Sequence, residues 1–325
     1  MATASLSAAA ERLAVLLSAG APAPLADAAS RDLEFERAVE LRPLARAAAP
    51  PEVWAVDGGQ ATVADARSVQ VVVTRAARAR FLGGECVLED EGELRAWLVG
   101  SGEERVAAAS LGLGVAPDAA VDVNLLRDAG EWEAVGRCIE ECSGGGFVLV
   151  DGDLRPDLRI PTAQVAALLA RAAERGVVVV SVTKHSSLAR GGAPLLGQLE
   201  LEAAARLGER SMWWAPLART TPASGLDVQV VAARLDPDAR FAFRVDLPSE
   251  VEPAPALAAL SALCDDAAFP GYPYPLAVAD RLAACPSWLR HDARLDLDDH
   301  LDLAGVPAEV RERAFADRHG LMERA

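Results

Sequence analysis

Long hydrophobic runs are missing from this sequence of 325 residues. No apolar stretch reaches the roughly 18–20 residues that a membrane-spanning helix requires. Glu11 and Arg12 follow soon after the first alanines, where a signal peptide would carry its apolar core. We therefore expect no membrane association and a cytoplasmic location.

Cysteine and histidine are scarce, with five and four residues respectively. Cys138 and Cys142 share a helical face, but no further Cys or His pair stands at the spacing of a zinc site. An odd number of scattered cysteines also argues against a disulfide framework. The sequence predicts reduced, structural thiols.

Basic residues are outnumbered, because 48 acidic and 32 basic side chains give a net charge of −16. Such a charge argues against broad electrostatic attraction to nucleic acid or to an anionic membrane. It leaves open an enzyme that lines one groove with basic residues, and a site that binds cations. Hydrophobic residues make up 51% of the chain and aromatic residues 5%, which predicts an aliphatic core for one large domain or two smaller ones.

Two aspartates close short apolar runs and are each followed at once by glycine. Asp57 follows the run 53–56, and Asp151 follows the run 147–150. A short apolar run that ends at glycine is typical of a buried strand, so each aspartate should stand where a central strand leaves the core. Carboxylates at neighbouring strand ends can converge on one divalent cation, which favours hard oxygen ligands.

The predicted elements alternate as in an α/β protein. They are helices over 3–18 and 25–47, strands near 53–57, 68–74, 86–88 and 94–99, a helix over 121–141, the strand ending at Asp151, a helix over 162–174 and a buried strand over 177–182. Strand–helix–strand units with short joints predict parallel pairing. By fold analogy we expect an RNase H-like mixed sheet flanked by helices, with helical N- and C-terminal additions.

Four sequence blocks resemble, in order, those of the NurA nucleases. The blocks are Val56-Asp57-Gly58, Val150-Asp151-Gly152-Asp153-Leu154, Val180-Ser181-Val182-Thr183-Lys184 and Gly271-Tyr272-Pro273-Tyr274-Pro275-Leu276. The resemblance implies a NurA nuclease domain with an RNase H-like core over 50–285. The remaining residues would form an N-terminal helical extension over 1–49 and a C-terminal helical tail over 286–325.

The resemblance also implies an activity and partners. Such proteins are homodimeric deoxyribonucleases that depend on manganese (or magnesium), of the 5′–3′ exonuclease and single-strand endonuclease type. They act in DNA end processing and repair with a HerA-type hexameric translocase.

In family terms, Asp57 and Asp151 match the first two acidic metal ligands. Glu131 matches a further acidic ligand on a helix, in the segment Arg127-Asp128-Ala129-Gly130-Glu131. Lys184 matches a basic residue that follows the next strand.

The chain departs from the family pattern at three positions. The pattern has serine after each Asp-Gly, where this chain has Gly59 and Asp153, and a histidine where this chain has Asp280. Asp280 leaves two interpretations open: a carboxylate that replaces an imidazole as a metal ligand, or a weakened site. Aspartate binds manganese and magnesium well.

Phosphodiester hydrolysis by two metal ions needs cations about 3.5–4 Å apart. Asp57 would bridge them from a central strand, with Glu131, Asp151 and Asp280 as further ligands. Lys184 would stabilise negative charge in the transition state. Structural interpretations compete with these roles, since aspartate favours turns before glycine and charged helix residues are often solvated.

Contacts with DNA are predicted for Arg75, Arg78 and Tyr272. Together with Arg80, the two arginines alternate imperfectly along a predicted strand and would form a basic stripe, although a solvated strand face fits equally. Tyr272 would line the DNA path, although a proline-rich aromatic turn more often packs as a structural corner.

Two other functions compete with the nuclease hypothesis. The segment from Val56 to Thr62 resembles the phosphate-binding turn of actin-like kinases, but neither a Gly-Gly adenosine segment nor a Walker-type lysine loop accompanies it. The three departures from the family pattern instead suit a non-catalytic adaptor with a degenerate site. Manganese binding separates this adaptor from a nuclease.

Overall fold

The structure is a computed structural model that describes residues 6–17, 23–27, 32–116, 121–155 and 159–316. The strands are β1 (Leu25–Asp27), β2 (Leu33–Phe35), β3 (Arg42–Pro43), β4 (Glu52–Asp65), β5 (Gln70–Leu82), β6 (Glu85–Asp90), β7 (Arg95–Val99), β8 (Phe147–Asp151), β9 (Val178–Thr183), β10 (Leu188–Arg190), β11 (Ala193–Pro194), β12 (Trp213–Thr220), β13 (Val228–Arg234) and β14 (Phe243–Pro248). The helices are α1 (Leu6–Leu17), α2 (Glu103–Ser110), α3 (Val123–Glu141), α4 (Thr162–Glu174), α5 (Leu195–Leu207), α6 (Pro253–Ser261), α7 (Tyr274–Ala283), α8 (Ser287–Leu303) and α9 (Ala308–Phe315), with a 3₁₀ turn over Pro222–Ser224.

Within the described residues, eleven strands form one mixed sheet. Its order is β2-β12-β13-β14-β9-β8-β4-β5-β6, while β3 also pairs with β12 and β7 with β5. Strands β4, β8 and β9 pair in parallel, whereas β4, β5 and β6 form an antiparallel run. An antiparallel run that leads into a parallel β-α-β unit is the RNase H-like arrangement, so the predicted fold class is confirmed.

Helices cover both faces of the sheet. Alternate strand residues point to opposite sides, and on the central strands both sets are apolar. On β4, Val53 and Ala55 join a core with α6 and α7, while Trp54 and Val56 join a second core with α3 and α4. The centre of the sheet is therefore buried on both faces. This explains why its parallel strands are continuous apolar runs in the sequence.

Helix α3 lies along the sheet through one apolar stripe. Leu125, Trp132 and Ile139 recur every seven residues and are buried, as expected of one helical face. Asp122 caps the helix by accepting a hydrogen bond from the Leu125 N–H at 3.0 Å. The predicted helix over 121–141 is thus confirmed, and it holds Arg127 and Glu131 beside the sheet.

The helix predicted over 25–47 is wrong. The segment supplies β1, β2 and β3 instead, and β2 and β3 pair with β12; residues 28–31 lie outside the described part. Alanine, glutamate and arginine favour a helix locally. Here Leu33 and Leu44 are buried, so pairing with the sheet prevails over propensity.

The two ends of the chain otherwise contain the predicted helices. Helix α1 covers much of the first one, whose residues 3–5 and 18 lie outside the described part, and α8 and α9 form the tail as far as residue 316. The domain boundaries at residues 49 and 285 stay predictions. All five cysteines are free thiols, and Cys86 is exposed. No described helix is long and apolar enough to cross a bilayer.

Candidate metal centre

Asp57 and Asp151 stand side by side where the parallel strands leave the core. Val56 pairs with Val150 in the β4–β8 register, so the two aspartates that follow lie on the same face of the sheet. After Asp151 the chain turns sharply at Gly152, whose φ of +108° favours glycine. The Asp-Gly pattern of the sequence thus marks the place on the central strands β4 and β8 where the site lies.

Asp280 reaches the same place from α7, on the last part of the predicted domain. One carboxylate oxygen each of Asp57, Asp151 and Asp280 lies within 4.8 Å of the other two. We call these three residues the acid triad. The end of α7 packs directly on β4, because a Cβ at Gly59 would lie 1.8 Å from the carbonyl oxygen of Ala283. Glycine at position 59 is therefore required by the close approach that delivers Asp280.

Lys184 follows β9 and inserts its ammonium group between two members of the triad. Its Nζ lies 2.6 Å from Asp151 Oδ2 and 2.9 Å from Asp280 Oδ1. Burial by itself would lower the pKa of Lys184, but the hydrogen bonds and charges of Asp151 and Asp280 raise it. Lys184 is also the only lysine in a chain with 32 basic residues. A compact ammonium donor, rather than a planar guanidinium, thus occurs only at this position.

Glu131 approaches the triad from α3. Its carboxylate lies against Gly58, where a Cβ would come within 2.0 Å of Oε1, and it forms an ion pair with Arg127 Nε at 3.1 Å. Burial raises the pKa of Glu131 well above its ordinary value, Arg127 opposes the increase, and the charges of Asp128, Asp57 and Asp151 add to it. Glu131 and Asp151 both line a cavity of about 170 Å³. The structure therefore brings the four predicted acidic residues to the same region: Asp57, Asp151 and Asp280 form the triad, and Glu131 lines a cavity with Asp151.

The charge of this site fits a divalent cation. Burial raises the pKa of Asp57 to about 8, and the negative charge of Asp151 contributes while Lys184 opposes the increase. Such a shift means that burial, together with the neighbouring carboxylates, disfavours the ionised form of Asp57, and that the Lys184 ammonium does not offset this. The donors are carboxylate oxygens, which hard cations such as manganese and magnesium prefer.

Tyr272 contributes a buried hydroxyl with no hydrogen-bond partner among the described residues. The side chain is only 4% exposed, and its ring lies 5.1 Å from Lys184 Nζ. Burial and the charges of Asp151, Asp57 and Asp280 raise the pKa of the phenol, so it stays a neutral donor. A buried unpaired hydroxyl beside an acid cluster fits a site that takes up a hydrated ion or a phosphate.

The two arginines predicted to contact DNA are both held by the protein itself. Arg75 is buried and donates to the carbonyl groups of Ala283 and Ala284, and it pairs with Glu91. Arg78 pairs with Asp90 and Glu141 at 2.8 Å each. Neither arginine therefore lies on a solvated face of the strand, as the alternative interpretation would require. Their contacts with DNA stay a prediction.

Sequence reasoning missed a cavity of about 210 Å³ that adjoins the cavity of Glu131 and Asp151. Four arginines and two acidic residues are among those that line it: Arg75, Arg95, Arg127, Arg137, Asp90 and Glu93. Arg127 lines this cavity and the cavity of Glu131 and Asp151, so the two adjoin. The guanidinium of Arg137 forms no hydrogen bond or ion pair within the described part of the chain. No local motif signals this cavity, because β5, β7 and α3 build it jointly.

Comparisons with known proteins agree with this architecture. A family model described as the NurA domain matches residues 51–285. The crystal structure of the NurA nuclease from Sulfolobus solfataricus is similar, with a TM-score of 0.55 and 15% identity over 82% of this chain and 88% of that chain. At this identity the similarity shows a shared fold.

Two further structures are similar at lower scores. They are a NurA with manganese (TM-score 0.43, 9% identity, 77% of this chain and 89% of that chain) and human ENDOV (TM-score 0.41, 16% identity, 75% and 86%). No curated protein sequence matches the chain. Because the NurA model spans most of the sequence and the fold agrees, the chain belongs to the NurA family of nucleases.

Proposed function

We propose that this protein is a deoxyribonuclease that depends on manganese or magnesium. The observation that carries this proposal is the acid triad, three carboxylates that converge within 4.8 Å at the edge of an RNase H-like sheet. The test is cleavage of end-labelled single-stranded and double-stranded DNA with manganese, magnesium or a chelator. Cleavage with the ions and none with the chelator supports the proposal, whereas no cleavage under any condition favours the adaptor.

The triad residues would hold the metal, with Asp57 between two ions and Glu131 as a ligand from the opposite face of the sheet. Bound cations would supply an activated water and neutralise the oxygens of the scissile phosphate. Burial of Asp57 and Glu131 keeps bulk water away from the carboxylates. This strengthens their attraction for a cation, since the local dielectric is low.

Lys184 and Tyr272 would act on the scissile phosphate from the side of β9. The Lys184 ammonium is held between Asp151 and Asp280 and can donate a third hydrogen bond to a phosphate oxygen. The neutral Tyr272 hydroxyl, close to Asp151, would donate its proton to the same group. Donors fixed before the substrate arrives stabilise developing negative charge without reorganisation.

We expect that Lys184→Met lowers the cleavage rate by about 10²–10³-fold, the usual cost of removing one fixed electrostatic contact. Lys184→Arg should not restore the rate, because a planar guanidinium does not fit the place of an ammonium 2.6 and 2.9 Å from two carboxylates. Single-turnover kinetics measure the effect. Manganese affinity serves as the control and should not fall, since the removed cation competes for Asp151. Full activity of Lys184→Met would contradict the role.

The path of DNA would continue from the triad into the arginine-lined cavity. We propose that Arg75 and Arg78 support the wall of this path, and that Arg95 and Arg137 approach the phosphates. The exonuclease and endonuclease modes, the homodimer and the HerA-type translocase come from the family resemblance and belong to this proposal. Activity of the protein with and without such a translocase tests the last point.

We expect that Arg137→Ala weakens DNA binding and lowers the slope of log affinity against log salt by about one, as when one phosphate contact is lost. The measurement is a fluorescence titration at several salt concentrations with calcium in place of a catalytic ion. Arg206→Ala, on the exposed side of α5, is the matched control and should leave the slope unchanged. Equal slopes for wild type and Arg137→Ala would contradict this path.

A further inference from the structure

A buried ion cluster lies behind the metal centre, around Arg244 on β14. Arg244 and Asp246 are both 0% exposed. The guanidinium binds Asp246 through two hydrogen bonds of 2.8 and 2.9 Å and lies 3.3 Å from Asp27 of β1. A buried guanidinium requires paired acceptors, because desolvation of an unpaired charge is costly. None of these residues belongs to the acid triad.

The cluster reaches the turn that carries Asp151. Arg244 Nη1 lies 2.9 Å from Asp153 Oδ2, and the Leu154 N–H donates to Asp246 Oδ2 at 3.2 Å. Both residues that follow Gly152 are therefore tied to β14, a strand that carries no member of the triad.

Thr183 holds the same turn from β9. Its hydroxyl lies 3.0 Å from the carbonyl oxygen of Gly152 and 2.5 Å from Asp153 Oδ1. The Gly152 N–H donates to the carbonyl oxygen of Val182 at 3.2 Å. We call Thr183, Arg244 and Asp246 the turn clamp. Through it, residues 152–154 are fastened to two neighbouring strands immediately after Asp151.

The clamp gives a reason for one departure from the family pattern. Asp153 stands where the NurA pattern has serine, and its carboxylate bridges Arg244 and Thr183. A serine side chain is shorter and uncharged, so it would not span the same two partners. In this chain the carboxylate of Asp153 thus has a structural role, because it pairs with Arg244.

We propose that Arg244 and Thr183 are positioning residues for the metal ligand Asp151, and that they act through Asp153. The proposal rests on the proposed function, since it assumes that the triad binds a divalent cation. Partners behind a metal ligand fix its orientation before the ion arrives, and their loss typically lowers metal affinity by about 10–100-fold. Gly152 alone would leave the orientation of Asp151 loosely defined.

The test is a calorimetric titration of the full chain with manganese and no DNA. We expect Asp153→Ala and Thr183→Val each to weaken binding by about 10–100-fold, while circular dichroism and the unfolding transition show a folded protein. Thr183→Ser keeps the hydroxyl and should bind nearly as the wild type does. Asp238→Ala removes an acid from an exposed ion pair with Arg210 and is the matched control, with unchanged affinity.

A double-mutant cycle separates positioning from direct ligation by Asp153. If Arg244 acts through Asp153, Arg244→Gln weakens manganese binding, and Asp153→Ala adds little to that loss. If Asp153→Ala instead adds its full loss to that of Arg244→Gln, Asp153 acts independently of Arg244, and this result or unchanged affinity in Thr183→Val and Arg244→Gln would overturn the proposal. Should Arg244→Gln fail to fold, the Thr183→Val and Thr183→Ser pair still decides the question.

The outcomes also distinguish this proposal from the proposed function. No manganese binding by the wild type would overturn both. Wild-type binding that is lost in Asp57→Asn, but unchanged in Asp153→Ala and Thr183→Val, would leave the metal centre intact and overturn the turn clamp alone.

Discussion

Replacing Asp57 by asparagine should lower the rate of manganese-dependent DNA cleavage by at least about 10²–10³-fold, the cost of one fixed electrostatic contact in an active site. The amide retains the size of the side chain but removes the charge beside Asp151 and Asp280. Asp151→Asn should have a similar effect, because the two carboxylates face the same point from adjacent strands.

Single-turnover cleavage of a labelled oligonucleotide at saturating manganese measures this loss. Asp238→Asn is the matched control, since it changes an aspartate that is 65% exposed and paired with Arg210. Wild-type rates in both Asp57→Asn and Asp151→Asn would contradict the assignment of the metal centre, and equal losses in the control would indicate a general defect instead.

The same Asp57→Asn substitution should stabilise the metal-free protein. In the unfolded chain Asp57 titrates near 3.8, whereas in the folded protein its pKa is raised to about 8 by burial and by Asp151. Between these values the folded state holds a proton that the unfolded state has released. The free energy of unfolding of the wild type therefore falls as the pH rises from about 4 to about 8.

Asparagine does not titrate, so the stability advantage of Asp57→Asn should grow across that pH window. Each pKa unit corresponds to about 1.4 kcal/mol, and we expect the unfolding temperature of the variant to exceed that of the wild type by a few °C at pH 8. Adding manganese should reverse the order, since only the wild type gains binding free energy.

Thermal unfolding with a chelator at pH 5, 6.5 and 8 tests this expectation, again with Asp238→Asn for comparison. A gap that stays constant with pH would show that Asp57 has an ordinary pKa. A variant less stable than the wild type at pH 8 would show that the carboxylate supports the fold rather than the site.

The parts of the site that lie in single strands were predictable from the sequence. Asp57 and Asp151 end apolar runs, and parallel strands place such ends side by side, so local pattern and sheet geometry suffice. Lys184 carried an additional signal, because it is the only lysine of the chain. Asp280 depended on the family resemblance, since α7 comes from a remote part of the sequence.

The parts that require distant segments to meet were not predictable. The partner of Asp153 is Arg244 on another strand, and the requirement for glycine at position 59 arises from a carbonyl group of α7. The arginine-lined cavity needs β5, β7 and α3 together. Likewise, residues 25–47 do not form the expected helix, because β2 and β3 pair with β12. Local helix propensity carries no information about that contact.

The most direct test of the metal centre is anomalous diffraction from a crystal soaked in manganese. The proposed site predicts a strong anomalous peak bound by Asp57 and Asp151, with Asp280 or Glu131 completing the ligands. A well-ordered site with no peak at millimolar manganese would contradict it.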